Sequence, residues 1–80
     1  MSLYLKIVSP EKIEFNGAVD SVTVPGTLGE FQILTGHAPL ISSLEKGRVN
    51  YRDAEGDHSI NISSGFVEVQ QNNVSLCVEL

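Results

Sequence analysis

Apolar and polar residues alternate along most of this chain with a period of two. Leu3, Leu5 and Ile7 share one side of a first strand, and Val22 and Val24 share one side of a later one. The same spacing returns at Val49 and Tyr51, at Ile60 and Ile62, at Val67 and Val69, and at Val74, Leu76 and Val78. Successive side chains of an extended chain point to opposite faces, so each run predicts a half-buried strand. Turn-forming clusters separate the runs: Ser9-Pro10-Glu11, Asn16-Gly17, Pro25-Gly26, Thr35-Gly36, Lys46-Gly47, Glu55-Gly56-Asp57 and Gln71-Asn72-Asn73. They recur roughly every 8–12 residues, the spacing of an all-β sandwich or barrel. Asp53 to Asp57 joins two alternating runs and predicts a hairpin in which Gly56 supplies a positive φ. A last hairpin is expected to turn between Gln70 and Asn73. Alanine stands only at positions 18, 38 and 54, whereas β-branched residues abound. No segment combines a helical period with caps over a length that sustains a helix.

Single residues within the pattern carry further expectations. Cys77 lies on the opposite side of its strand from Leu76 and Val78, as small structural filler would. Gly65 interrupts two strand patterns and predicts a tight turn or bulge, after which Phe66 covers the sheet face opposite Val67 and Val69. The glycines of Val24-Pro25-Gly26-Thr27-Leu28-Gly29-Glu30 suit a tight β connection. A phosphate cradle would need a following helix, usually with a lysine, and neither follows. The stretch from Gly29 to Ile41 holds a strand, a Gly36-His37 turn and a proline-stiffened apolar run. There His37 reads either as a turn residue whose imidazole caps nearby backbone, or as part of a rigid contact surface. Pro39 reads as an edge-strand marker that blocks ladder donation.

Composition narrows the function. A chain of 80 residues supports one domain with one thin core, since a domain of this size buries only about 60–65% of its unfolded surface. Residues 1–80 are therefore expected to form one domain. The lone Cys77 excludes an internal disulfide. Five Lys+Arg against ten Asp+Glu, a net charge of -5, argue against a nucleic-acid partner, whose affinity rests on cationic contacts to phosphate. The start, Met1-Ser2-Leu3-Tyr4-Leu5-Lys6, lacks a signal-peptide pattern, and no apolar run approaches the roughly 20 residues that span a bilayer. A soluble protein of a reducing compartment is expected, without direct membrane insertion.

Catalytic chemistry finds little footing. One cysteine and two isolated histidines offer no zinc-ligand cluster, so neither metal nor cofactor is expected. A nucleophilic site would need Cys77 or a serine to meet His37 or His58 in space. The acids Asp53, Glu55 and Asp57 read as a solvated hairpin tip. Lys6, Lys12 and Lys46 lack the hairpin-tip setting of a lipoyl or biotinyl carrier lysine.

The ordered segments Leu5-Lys6-Ile7-Val8-Ser9-Pro10-Glu11, Phe15-Asn16-Gly17, Ser21-Val22-Thr23-Val24-Pro25-Gly26, Gly29-Glu30-Phe31, Gly36-His37-Ala38-Pro39-Leu40, and Gly65-Phe66-Val67-Glu68-Val69 with Asn73-Val74 run the whole length of the chain. Together, in this order and spacing, they resemble the N-terminal domain of the epsilon subunit family of rotary F-type ATP synthases. The resemblance implies an all-β fold, a two-sheet β-sandwich of about ten short strands. It implies a non-catalytic rotor subunit that clamps the gamma subunit onto the membrane c-ring and couples proton-driven ring rotation to ATP synthesis. By the same resemblance the protein sits peripherally on the cytoplasmic face of the bacterial plasma membrane, as part of the synthase.

The resemblance also carries site residues. One end of the sandwich would face the c-ring with the Gly29-Glu30 turn and the Gly36-His37-Ala38 turn, making Glu30, His37, Gly36 and Ala38 the ring contacts. Leu40, Ile41 and Ser42, leaving the histidine turn, would meet gamma on a larger and more apolar face. Thr35 stands where the family usually has proline, which implies a less stiff loop, and Ser64 replaces a usual glycine, which implies no positive φ there. The two C-terminal helices of family members have no counterpart, so the resemblance implies neither inhibition of hydrolysis nor nucleotide sensing, and the chain reads as a short form or a cut piece. A free-standing β-sandwich module that binds a small ligand or another protein is the alternative reading.

Overall fold

Nine strands account for most of the 3–80 stretch described by the computed structural model. The leader reading of Met1 and Ser2 lies outside these residues. The strands are β1 (Leu3–Val8), β2 (Ile13–Val19), β3 (Ser21–Gly26), β4 (Gly29–Leu34), β5 (Leu40–Leu44), β6 (Gly47–Asp53), β7 (Gly56–Ile62), β8 (Ser64–Gln70) and β9 (Asn73–Glu79). No helix among the described residues is long and apolar enough to cross a membrane.

The strands follow one hydrogen-bonded path, β2-β1-β9-β8-β5-β3-β6-β7, with β4 added on β3. The link between β5 and β3 is a single residue pair, Gly26 with Leu44, and there the path folds over into two layers. The first layer holds β2, β1, β9, β8 and β5; β1 and β9 run parallel and the other neighbours antiparallel. The second holds β4, β3, β6 and β7, all antiparallel. This is the expected all-β sandwich, built from nine strands where about ten were expected.

Three strands run through both layers. β2 passes into β3 at Asp20, β5 into β6 at Glu45 and Lys46, and β7 into β8 at Ser63. Such bends are the usual way a strand changes sheets at a sandwich corner. Backbone bonds hold each corner: Asp20 N–H donates to Arg52 C=O at 2.7 Å, Glu45 N–H to Pro25 C=O at 2.9 Å, and Ser63 N–H to Glu79 C=O at 2.7 Å.

The alternating residues meet between the layers. Leu3, Leu5, Ile7, Val67, Val69, Val74, Leu76 and Val78 from the first layer face Val22, Val24, Ile33, Val49 and Ile62 from the second, all buried. No polar or charged residue among those described is buried. On the far side from the Gly26–Leu44 link, Phe15 of β2 packs on Tyr51 of β6, ring centroids 4.5 Å apart, and closes the sandwich.

Gly65 is fixed by close approach, since a Cβ there would stand 2.5 Å from the Cys77 carbonyl oxygen across the β8–β9 pair. Ser64 lies in β8 without a positive φ, as expected. The β8–β9 hairpin turns at Gln71 and Asn72, with φ of 51° and 64°. Two positive φ angles make this the mirror-image turn whose twist suits a two-residue hairpin. Gly56 supplies the positive φ expected of it in the β6–β7 hairpin, at 121°.

The tip of that hairpin is only partly the solvated acid cluster expected. Glu55 and Asp57 are exposed, and the Arg52–Asp57 pair at 3.6 Å is an open surface contact of little worth. Asp53 instead turns inward. His58 Nε2 lies 2.9 Å from Asp53 Oδ1, which also accepts the Glu55 N–H at 2.9 Å, and the His58 ring stacks on Tyr51 at 5.2 Å. The His58 hydrogen bond, reinforced by the backbone donors, holds the Asp53 carboxyl below its ordinary value. Burial first, and the Asp53 charge second, raise the Tyr51 hydroxyl.

Two outcomes follow for stability. Gly65→Ala forces a Cβ into backbone and is expected to cost about 1–3 kcal/mol in urea denaturation. Because the Asp53 carboxyl is depressed, its contribution is present at neutral pH and is lost as pH falls below the ordinary carboxylate value. Wild type should therefore exceed Asp53→Asn in urea midpoint at pH 7, and the gap should narrow as pH falls through and below the ordinary carboxylate range. A gap independent of pH would contradict this assignment.

Candidate functional surfaces

With the interior wholly apolar, any recognition chemistry has to lie on turns, strand edges and outer faces. β4 is an edge strand of the second layer, paired only with β3. It begins after the exposed two-residue tip Thr27-Leu28 and ends at Leu34, so its two flanking turns stand at opposite ends. Glu30 is exposed near the first end, opposite Pro25. His37 lies beyond the second end, where its N–H donates to the Leu34 carbonyl at 3.1 Å.

The expectation that the Glu30 and His37 turns share one end of the sandwich is therefore not met. β4 is unbroken between them, and Glu30 to Leu34 alone spans about 13 Å of strand. A partner that meets both residues lies along the β4 edge instead of capping an end.

The Gly36-His37-Ala38 turn is well tied. Gly36 has φ of 85°, a left-handed conformation that favours glycine. Its N–H donates to Asn72 Oδ1 at 2.7 Å, which joins this turn to the β8–β9 hairpin. His37 Nδ1–H donates to the Ala38 carbonyl at 2.7 Å, the local backbone cap anticipated for it. Ala38 is exposed and His37 half-buried.

The candidate gamma contacts divide between two faces. β5 alternates, so Leu40 packs against the core and Ser42 is half-buried on the same side, where its Oγ–H donates to the Ser43 carbonyl at 3.1 Å. Ile41 alone points outward, 73% exposed. It has company on that outer face. Phe66 is 50% exposed, and its cross-strand neighbours are Ser43 on one side and Cys77 on the other. Cys77 in turn pairs with Val8 of β1, and Val8 with Ile13 of β2. Phe66, Cys77, Val8 and Pro10 line a shallow groove of about 500 Å³.

This apolar row is the part of the surface that sequence reasoning missed. The alternation does put Phe66 and Cys77 on the outward side of their strands. That they are neighbours depends on the β8–β9 and β1–β9 registers, which no local pattern displays. The same register keeps Cys77 away from both histidines, since His58 lies in the second layer and His37 beyond the end of β4. Among the described residues no three of His, Cys, Asp and Glu gather as metal ligands would.

Comparison with known proteins agrees with this architecture. The family model of the ATP synthase delta/epsilon chain β-sandwich domain matches residues 2–80. The ATP synthase epsilon chain of Leptospira borgpetersenii is 43% identical over 77 residues, covering 96% of this chain and 61% of that protein. The epsilon chain of Magnetococcus marinus is 44% identical over 77 residues, covering 94% and 55%. This chain thus spans somewhat over half the length of these relatives. A chain of the Euglena gracilis mitochondrial ATP synthase superposes with a TM-score of 0.89 at 21% identity, covering 96% of this chain and 50% of that one. One from the central stalk and c-ring of the Tetrahymena thermophila enzyme superposes at 0.86 with 15% identity, covering 100% and 65%. At those identities the likeness is one of fold, and the nearer sequence relatives carry the kinship. With an unbroken match from residue 2 to residue 80, this chain belongs to the ATP synthase delta/epsilon chain β-sandwich family.

Proposed function

We propose that this chain, with residues 1–80 as one domain, is the N-terminal sandwich of a non-catalytic central-stalk subunit of an F-type ATP synthase. In this reading it holds the gamma subunit on the membrane c-ring, so that proton-driven rotation of the ring reaches the catalytic sites through gamma. It is a peripheral part of a membrane-bound complex, on the cytoplasmic face of a bacterial plasma membrane. The observation that carries the reading is the family match along residues 2–80. The epsilon chains at 43% and 44% identity support it further.

The two outer surfaces fit the two partners differently. Stable assemblies bury apolar faces, and the row of Phe66, Cys77 and Val8 is such a face, with Ile41 diagonal to Phe66 on the same side and Glu68 directly opposite Ile41. It is assigned to gamma, with Ile41 retained from the expected set while Leu40 and Ser42 support it from the inner side. The β4 edge from Glu30 to Gly36, His37 and Ala38, which presents Glu30 and Gln32 and also exposes Leu34, is assigned to the c-ring. There a carboxylate and an imidazole orient the contact at modest energy, roughly 0–1 kcal/mol for each exposed pair.

Capture of purified gamma on the immobilised chain tests the assignment. Phe66→Asp combined with Ile41→Asp places charge in the apolar face and is expected to weaken gamma binding at least about 30-fold, as loss of a central anchor does. Glu30→Ala with His37→Ala should weaken binding to the gamma–c-ring complex by roughly 3- to 30-fold while leaving gamma binding and the far-UV spectrum unchanged. Absence of any affinity for gamma, together with a ligand-induced rise in melting temperature, would overturn the rotor reading in favour of a free-standing binding module.

A further inference from the structure

Residues 35–39 form the longest connection between strands in the molecule, and little backbone pairing reaches them. The His37 N–H bonds to Leu34 and the imidazole bonds to Ala38, so both are internal to the turn and its flank. The one hydrogen bond from this segment to a remote part of the chain, among the described residues, runs from the Gly36 N–H to Asn72 Oδ1 at 2.7 Å.

Asn72 is itself unusually committed. Its φ of 64° lies in the left-handed region, which asparagine tolerates better than most residues, and it occupies the second turn position of the β8–β9 hairpin. In that conformation the backbone carbonyl accepts the Tyr4 N–H at 2.8 Å while the side-chain oxygen reaches Gly36. One residue thereby joins the start of β1, the last hairpin and the histidine turn. Glycine would fit the turn equally well but would have no side-chain acceptor.

We infer that Asn72 is a positioning residue: its side-chain amide oxygen fixes the Gly36-His37-Ala38 turn and so sets where the His37 imidazole is presented at the β4 edge. The role in partner contact rests on the reading of that turn as a c-ring surface; the anchoring of the turn does not.

The two are separated by two measurements on Asn72→Gly, which keeps the turn backbone but removes the acceptor, and on Asn72→Asp, which keeps both. The first measurement is amide hydrogen exchange by NMR on the 80-residue chain. Asn72→Gly should speed Gly36 exchange about fivefold, the usual effect of losing one hydrogen bond, with amides of the β8–β9 ladder unchanged and Asn72→Asp close to wild type. Unchanged Gly36 exchange in Asn72→Gly would overturn the inference. The second measurement is affinity for the gamma–c-ring complex, for Asn72→Gly, His37→Ala and the double variant. Equal losses that do not add in the double variant support positioning of His37 by Asn72. Additive losses overturn it. If neither single variant alters affinity while Gly36 exchange still rises, the anchoring stands and the c-ring assignment of this turn falls.

Discussion

Burying one face of almost every strand leaves this small molecule no interior place for a polar group. The layer between the sheets is aliphatic throughout, drawn from both sheets, and none of the described polar or charged residues is buried. A polar group sealed there without partners would cost roughly 1–3 kcal/mol, a large share of what so small a core supplies. Chemistry is thereby displaced outward. The imidazole of His58 and the carboxylate of Asp53 satisfy each other at the rim, the His37 ring is capped by its own neighbour, and Cys77 faces out beside Phe66.

The two proposed contact surfaces follow from that displacement. Apolar residues grouped on the outer side of a strand whose inner residues are apolar mark a surface suited to a partner. Ile41 and Phe66 stand uncovered on such an outer side. The β4 edge is more mixed, with Glu30 and Gln32 beside an exposed Leu34, a free backbone edge and an anchored turn at its far end. Sheet edges invite pairing with other chains unless charge or turns blunt them, and Glu30 together with the histidine turn does so here.

Strand content and core membership were legible in the sequence because they rest on a local period. Leu3, Leu5, Ile7, Val67, Val69, Val74, Leu76 and Val78 all lie where alternation puts them. The turns at Gly56 and at Gln71-Asn72 were equally legible, since Gly56 and Asn72 are residue types that suit positive φ. Three things were not. The passage of one strand through two sheets looks, in sequence, like two strands with a short break. The junction of Phe66, Cys77 and Val8 depends on pairing register. The separation of Glu30 from His37 depends on β4 remaining straight and unbroken, whereas a turn within it would have brought them together. For the candidate contacts, sequence supplied the residues and the fold supplied their grouping, which divided Leu40 and Ser42 from Ile41.

The strands that pass from one sheet to the other have a mechanical consequence. In a sandwich held only by side-chain packing, one sheet can slip over its neighbour by exchanging van der Waals contacts, each individually weak. Here Asp20, the Glu45-Lys46 step and Ser63 are points where the backbone itself bridges the layers. A force that pulls the apolar outer face one way and the β4 edge the other is therefore opposed at three corners by covalent chain and not by packing friction alone.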